Sequence, residues 1–449
     1  MKTNLFSDFL PVSAKQWKQQ IQVDLKGTDY QTLITRTLEN IDIKPFYHAD
    51  DYKKFDFLPQ TDFKIAQELH LHDAKIANKI ARKSLDKGAE KFTFIASKPF
   101  NIDLLINKLD ISKLIFKLHF LNADFFIKLH QKTQGKASIY IDPIGQFAKT
   151  GNWSVNQKED FAQIKEIQQQ IPDNFPFINI DLSNYKNAGA NIVQEIAYAL
   201  SQGVEYIENF GKQTAGQIHF NFAIGNHYFF EIAKFQAFRN LWTSVLNEYK
   251  LEVNTQIFAQ PTTRNKTIFD PYVNMLRSTM EMMSAILGGA DIISNLPYDS
   301  IFKKSNEFSE RIARNQLIIL KEEAYFTEAL NSFEGNYYLE NTAYQLAEKS
   351  LELFKLLEKS GGILSQLYKG KIQEKVNENA QKEQDAFDAG ELVLVGTNKY
   401  INKDEKPEKI TKYPFLKKRS GQTLIRPVVA QRLAEKIEKD RLNQLNIRF

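Results

Sequence analysis

The stretch Phe177-Ile178-Asn179-Ile180-Asp181-Leu182-Ser183 alternates apolar and polar residues one by one. A β-strand turns successive side chains to opposite faces, so Ile178, Ile180 and Leu182 share one side while Asn179, Asp181 and Ser183 share the other. The same division recurs downstream. Ile218, Phe220 and Phe222 oppose His219 and Asn221, and Val253, Thr255 and Ile257 oppose Asn254 and Gln256. Further strands are expected over 92–96, 115–120, 139–142 and 291–296, with longer helical runs between them, which predicts βα units and a parallel sheet. The expected architecture is an α/β fold, with these strands either closed into a barrel or partly at a sheet edge with a solvated face.

In such a barrel the apolar strand faces meet the outer helices, and Asn179, Asp181, His219, Asn221, Asn254 and Gln256 then point toward the axis. Each buried polar group left without a partner costs on the order of 1–3 kcal/mol, so these side chains must bond to one another, to water or to a ligand. Bulky residues at such positions would fill the hole through which a ligand could thread.

The helices carry their own signals. After Asp270-Pro271, residues Val273, Leu276, Met280, Met283 and Leu287 recur at spacings of three and four, predicting a helix with one apolar stripe facing the core. Asp270 is expected to cap it, Pro271 to take the first position, and Gly288-Gly289 to end it. Similar stripes run through Phe230, Ala233, Ala237, Leu241 and Val245, and through Leu346, Ser350, Leu351, Phe354 and Leu357.

Outside the barrel, expected to occupy 51–361, residues 1–50 read as an arm with a helical patch over 12–25 and an extended stretch over 41–47. Residues 362–449 read as a helical linker and a basic tail: a polar helix up to Asp388, a short strand over 392–395 and a Lys-rich stretch over 402–412. From Lys399 to Phe449 there are fourteen Lys and Arg against six Asp and Glu, so this tail carries more than the whole chain's net charge of +5. Such a tail suits a solvated surface or contact with an acidic partner.

The composition excludes several chemistries. There is no cysteine among 449 residues, so disulfides, thiolate metal sites and a thiol nucleophile are ruled out. No HExxH, Gly-x-Gly-x-x-Gly or Walker-type loop occurs, and no apolar run reaches the roughly 18 residues of a membrane span. A cytoplasmic location is the default expectation. His70 and His72 read as solvated surface, and Glu322 and Glu323 as an exposed helix face. A net charge of +5 over this length gives no argument for nucleic acid.

Ordered blocks of sequence carry a resemblance. They are Asp270-Pro271-Tyr272-Val273-Asn274-Met275-Leu276-Arg277-Ser278-Thr279, Gly288-Gly289-Ala290-Asp291, Leu296-Pro297-Tyr298-Asp299, Ser309-Glu310-Arg311-Ile312-Ala313-Arg314-Asn315, Glu334-Gly335-Asn336-Tyr337-Tyr338 and Val395-Gly396-Thr397-Asn398-Lys399-Tyr400. Upstream, Ile43-Lys44-Pro45-Phe46-Tyr47, Asn187-Ala188-Gly189-Ala190 and Glu231-Ile232-Ala233-Lys234 fit as well, so most of 41–400 resembles the methylmalonyl-CoA mutase family. That resemblance implies interconversion of methylmalonyl-CoA and succinyl-CoA, in propionate metabolism, by radicals from adenosylcobalamin. It also implies a (β/α)8 TIM barrel whose polar axis admits the CoA chain.

Two departures shape what the resemblance implies here. None of the seven histidines stands in Asp-x-His-x-x-Gly, the family's axial-ligand motif, so no flavodoxin-like cobalamin domain is expected. At Ser183-Asn184-Tyr185-Lys186-Asn187-Ala188-Gly189-Ala190, catalytic chains carry a Tyr-His pair, and Lys186 is nearest to the place of the histidine that serves the thioester carbonyl. The expectation is a non-catalytic small subunit with no catalytic, cofactor-binding or metal-binding residue. Its partner would be a catalytic large subunit that binds adenosylcobalamin and the acyl-CoA substrate, in a heterodimer contacted through the arm 1–50 and the basic tail after Lys399. A vestigial substrate pocket is expected at Tyr185, Lys186, Asn187, His219 and Asn221. The alternative is a substrate-binding barrel of a split acyl-CoA mutase that uses a separate cobalamin-binding protein.

Overall fold

Eight parallel strands form the frame: β1 (Lys64–His70), β2 (Lys91–Ala96), β3 (Leu114–Leu118), β4 (Ser138–Tyr140), β5 (Ile178–Asp181), β6 (Ile218–Ile224), β7 (Ile257–Pro261) and β8 (Ile292–Ser294). A computed structural model describes residues 7–51, 55, 60, 62–416 and 421–446 of the chain. Neighbours in the sheet run β4-β3-β2-β1-β8-β7-β6-β5, and a parallel bridge between Ile141 and Ile178 brings β4 against β5 to close the ring. The fold is a (β/α)8 TIM barrel. Among the described residues the one other sheet is a two-stranded antiparallel pair, Thr35–Arg36 with Asp42–Ile43.

The labelled helices bear on the site: α1 (Ala14–Asp24) in the arm, α2 (Ser183–Asn187) directly after β5, α3 (Ile192–Phe210), α4 (Tyr228–Glu248) and α5 (Val273–Gly288). Along α4 the stripe Phe230, Ala233, Ala237, Leu241 and Val245 is buried against the barrel, as its spacing predicts. Phe220 and Phe222 of β6 meet Phe238 edge to face at ring separations of 4.7 and 4.9 Å.

Four local expectations fail, each for a physical reason. Strand β1 is missing from the sequence reading because Lys64-Ile65-Ala66-Gln67-Glu68-Leu69-His70 shows no clean alternation. Its helix-facing Gln67 is buried by polar pairing, accepting from Arg314 Nη1 at 2.7 Å. Strand β7 begins at Ile257 instead of residue 253. The preceding segment is tied to α4, with Trp242 Nε1 donating to Thr255 Oγ1 at 3.0 Å, so exposed Asn254 and half-buried Gln256 lie ahead of the strand and Phe258 and Gln260 take the axial positions.

The third concerns α5. Asp270 does not cap it; Asp270 stands in the left-handed region at φ 47°, the helix starts at Val273, and Tyr272 at its N-cap has no side-chain cap bond. The expected stripe reaches the core only at its end: Leu276 is 66% and Met280 50% exposed, Val273 and Met283 are half-buried, and Leu287 is buried. The inward face is mixed: Met282, Ala285 and Ile286 are buried in its second half, while Asn274 Nδ2 donates to Thr267 O and Glu281 accepts from Lys266 and Asn265. Gly289, at φ 96°, does end the helix. The fourth is the segment 392–395, which forms no strand because the Asn398 side chain draws it into a loop by bonding Leu394 N, Phe387 O and Leu392 O.

The C-terminal segment lies on the barrel. Helix Lys371–Asp388 buries Ile372 and Val376, and Phe415, Ile425, Val428, Leu433 and Leu442 are also buried. Arg432 donates to Lys266 O and Pro414 O and pairs with Glu438 at 2.7 Å. Residues 1–6, 417–420 and 447–449 of the expected arm and tail, and most of 52–61 at the barrel's expected start, are outside the described residues.

Candidate functional site

In a barrel of parallel strands the C-terminal strand ends and their loops carry chemistry, with the axis leading into them. Here the axis is mixed: Ala66, Ile115, Tyr140, Phe258 and Ile292 form a buried apolar cluster, and the polar side chains that alternation predicts at Asn179, Asp181, His219 and Asn221 stand on the same face. Tyr140 on β4 shares a hydrogen bond with His219 Nδ1 on β6 at 2.8 Å, and Phe258 on β7 closes against Tyr140 edge to face at 5.5 Å. Above these, Lys117 Nζ on β3 donates to Glu68 Oε1 on β1 at 2.8 Å and to Asn221 Oδ1 on β6 at 3.3 Å. Asn221 Nδ2 donates in turn to Asp181 Oδ1 on β5 at 2.8 Å. Four strands are cross-linked through the barrel by this chain of side chains. Burial pulls His219 down to about 4, so the imidazole is neutral inside the plug.

The loop after β5 behaves differently from a substrate-facing loop. Lys186 on α2 turns into a buried cluster with Glu195 on α3 and Glu231 on α4, at 3.0 and 3.4 Å. Lys234 completes it, meeting Glu195 at 3.3 Å, pairing with Glu231 and donating to Ala223 O. Burial alone would lower the Lys186 ammonium, yet the two carboxylates hold it above its ordinary value. Two cations and two anions balance, so the cluster is neutral overall, and Glu231 also accepts from Gly225 N at 2.8 Å.

Its neighbours are equally committed. Asn187 Oδ1 accepts from Thr262 Oγ1, Thr263 N and Thr263 Oγ1 at 2.8, 2.8 and 3.0 Å, binding this loop to the one after β7. Tyr185 is wholly buried beside Tyr198, with ring centroids 5.3 Å apart and no protein partner for its hydroxyl. Of the five residues expected in a vestigial pocket, His219 and Asn221 lie on the axis, while Tyr185, Lys186 and Asn187 anchor the loop after β5 among the outer helices.

The open space lies elsewhere on the same face. A cleft of about 420 Å³ beyond β3 and β4 is lined by residues including His119, Asp142, Gln146, Thr150, Asn152 and Trp153. Burial, assisted by Lys149, lowers His119 to about 4. Asp142 is pushed up to about 6 by burial, against the pull of bonds from Asp181 N, Gly145 N and Tyr206 Oη. Sequence reasoning missed Lys117, His119 and Asp142 although Ile115-Phe116-Lys117-Leu118-His119 has the alternation that marks Lys117 and His119 as axial. Glu68 could not be found that way, since β1 was unread. Among the described residues no group of three or more His, Cys, Asp or Glu is placed to hold a metal ion, and no helix is long and apolar enough to cross a membrane.

Comparison with known proteins agrees with the sequence blocks. The sequence profile of methylmalonyl-CoA mutase matches residues 128–447. The methylmalonyl-CoA mutase small subunit of Porphyromonas gingivalis is 32% identical over 444 residues, covering 89% of this chain and 72% of that one. The methylmalonyl-CoA mutase of Cereibacter sphaeroides is 28% identical, over 88% of this chain and 65% of its own length. The large subunit from Propionibacterium freudenreichii subsp. shermanii is 31% identical over 61% of this chain and 40% of its own. Among solved structures, the Coxiella burnetii dihydropteroate synthase aligns at 10% identity over 66% of this chain and 99% of that one, with a TM-score of 0.33; a likeness at that level does not bear on function. By profile and by relatives, the chain belongs to the methylmalonyl-CoA mutase family.

Proposed function

We propose that this chain is the non-catalytic small subunit of a methylmalonyl-CoA mutase heterodimer and that it stabilises a catalytic large subunit. The observation that supports this most is the plug: Tyr140, His219, Phe258, Lys117, Glu68, Asn221 and Asp181 occupy the axis through which the family's substrate would thread. A second support is Lys186, which meets two buried carboxylates and so cannot donate to a thioester carbonyl without stripping them of a countercharge.

The mutase family uses adenosylcobalamin, which supplies a carbon-centred radical when bound. The described residues do not fit the family's way of holding it. His219 is bonded to Tyr140 within the barrel, His130 stands edge-on to Phe175, His227 lies against Phe230, and His48 pairs with Asp50. His70, His72 and His119 lie at strand ends, and none of the seven stands in Asp-x-His-x-x-Gly. The cofactor therefore belongs, in this reading, to the partner.

The test is to express the large mutase chain with and without this one and to compare solubility, thermal stability and turnover. A large chain that is equally soluble, stable and active alone sinks the scaffold role. The reading of a substrate barrel in a split mutase draws on the cleft beside His119. It predicts micromolar binding of methylmalonyl-CoA by the isolated chain, with activity restored by a cobalamin-binding protein.

A further inference from the structure

Of the four methionines on α5, Met280 is exposed, Met275 and Met283 are half-buried and Met282 is buried. The helix buries Asn274, Ser278 and Glu281 and turns Leu276 and Met280 outward, with Tyr272 one turn before them also exposed. An apolar stripe at helical spacing that its own fold leaves in water is a mark of an interaction surface. Methionine suits one, because its unbranched thioether adapts to whatever packs on it.

A second element joins the same face. The turn at 395–400 packs on the start of α5: Val395 O accepts from Arg277 Nη2 at 2.7 Å, and a Cβ on Gly396 would stand 2.7 Å from the Asp270 carboxylate. This turn sets Tyr400 in the left-handed region at φ 58°, a conformation that side chains rarely adopt, and leaves it 75% exposed beside exposed Val395 and Ile401. Around it Lys399, Lys403, Lys406 and Lys409 are exposed. Of the nearby carboxylates, Glu405 accepts from Asp270 N, Glu408 pairs with Lys303 and half-buried Asp270 stands against Gly396, while Asp404 is exposed.

We infer that Tyr272, Leu276, Met280, Val395, Tyr400 and their lysine fringe form the surface on which the large mutase chain docks, through an apolar face rimmed with carboxylates. The inference rests on the heterodimer reading above and names its interface. Charge selects the occupant: two copies of a chain with net charge +5 and the same lysine fringe repel on approach, whereas an acidic rim is drawn in.

The test uses the full chain with the long mutase chain of the same genome, the one carrying Asp-x-His-x-x-Gly. Two pairs of changes are made at exposed positions, Leu276→Glu with Met280→Glu and Lys399→Glu with Lys403→Glu, with Leu276→Ser and Met280→Ser as a milder pair if the first disturbs the thermal melt. Affinity is measured by sedimentation or surface binding at about 50 mM and about 300 mM salt. Each pair is expected to weaken binding at least about tenfold, with the lysine pair's loss confined to low salt. Wild-type complex formation with unchanged binding by both pairs overturns the docking surface and leaves the heterodimer standing. A wild-type chain that binds no large chain overturns the heterodimer, and the inference with it. Self-association of the wild type lost in the Leu276 pair assigns the face to a second copy, and retention on phosphatidylserine vesicles lost in that pair assigns it to lipid; either result overturns the proposal.

Discussion

Replacing Lys234 by Met removes one cation from the buried cluster and keeps nearly the same side-chain volume. In the native chain Lys186 and Lys234 face Glu195 and Glu231, all four largely inaccessible to water, so the charges balance without solvent. After Lys234→Met, two buried carboxylates share one ammonium, and Ala223 O loses its side-chain donor. Breaking a buried pair from one side costs about 3–5 kcal/mol. The sign of the pH dependence follows. In the variant one carboxylate gains a pKa above its unfolded value, the folded state binds the extra proton, and stability rises as pH falls. The loss should therefore be largest near pH 8 and shrink toward pH 5. Urea unfolding at both pH values, read as the shift in midpoint at constant slope, measures it. Pairing the change with Glu195→Gln should recover a large part, since one carboxylate then meets one ammonium. A loss under about 1 kcal/mol at pH 8, or one that grows on acidification, refutes the account of a neutral, desolvated cluster.

Other outcomes are expected from the same structure. His219, lowered from 6.5 to about 4 by burial, contributes stability above its unfolded pKa that is lost as pH falls through the folded one; urea midpoints should drop from pH 7 to pH 4.5 by an amount worth up to about 3 kcal/mol, and His219→Gln should flatten that profile. Tyr140→Phe strips His219 of its partner and should cost about 1–3 kcal/mol, read by thermal or urea unfolding. Gly189→Ala forces a side chain into φ 104° with a Cβ 2.4 Å from that of Ala380, so helix Lys371–Asp388 should loosen, which limited proteolysis detects as earlier cleavage within 371–388.

The barrel was legible because alternation survives wherever a strand is buried on both sides by opposite chemistries. At 177–183 and 218–222 the apolar face packs on helices and the polar face on the axis, so period two is plain in the text. It fails at 64–70, where Gln67 on the helix side is satisfied by Arg314 and thus breaks the apolar rhythm. Helix α5 misled for the mirror reason. Its core-facing Asn274 and Glu281 are bonded to residues of the loops on either side of the helix, 24 and 15 positions away, and helical periodicity does not reveal such partners. Part of the plug could be read, at Asp181, His219 and Asn221, but its closure could not. That closure depends on which rung of one strand faces which rung of another, and Tyr140 meets His219 across 79 positions.

The return of the C-terminal segment to the loop after β7 has a temporal consequence. Ile268 N is satisfied by Glu438 Oε1 at 2.8 Å, Lys266 O by Arg432, and Arg264 O by Leu433 N, each across more than 160 positions. On a ribosome, strand β7 and its loop leave the exit tunnel long before those residues exist, so the nascent barrel must wait with its upper rim unsealed. Contacts of this reach slow folding because the intervening chain must be gathered first. Residues made more than 160 positions later would then latch the loop, and a ribosome stalled in the 390s would display a barrel whose strands are complete and whose rim still exchanges its amide hydrogens with water.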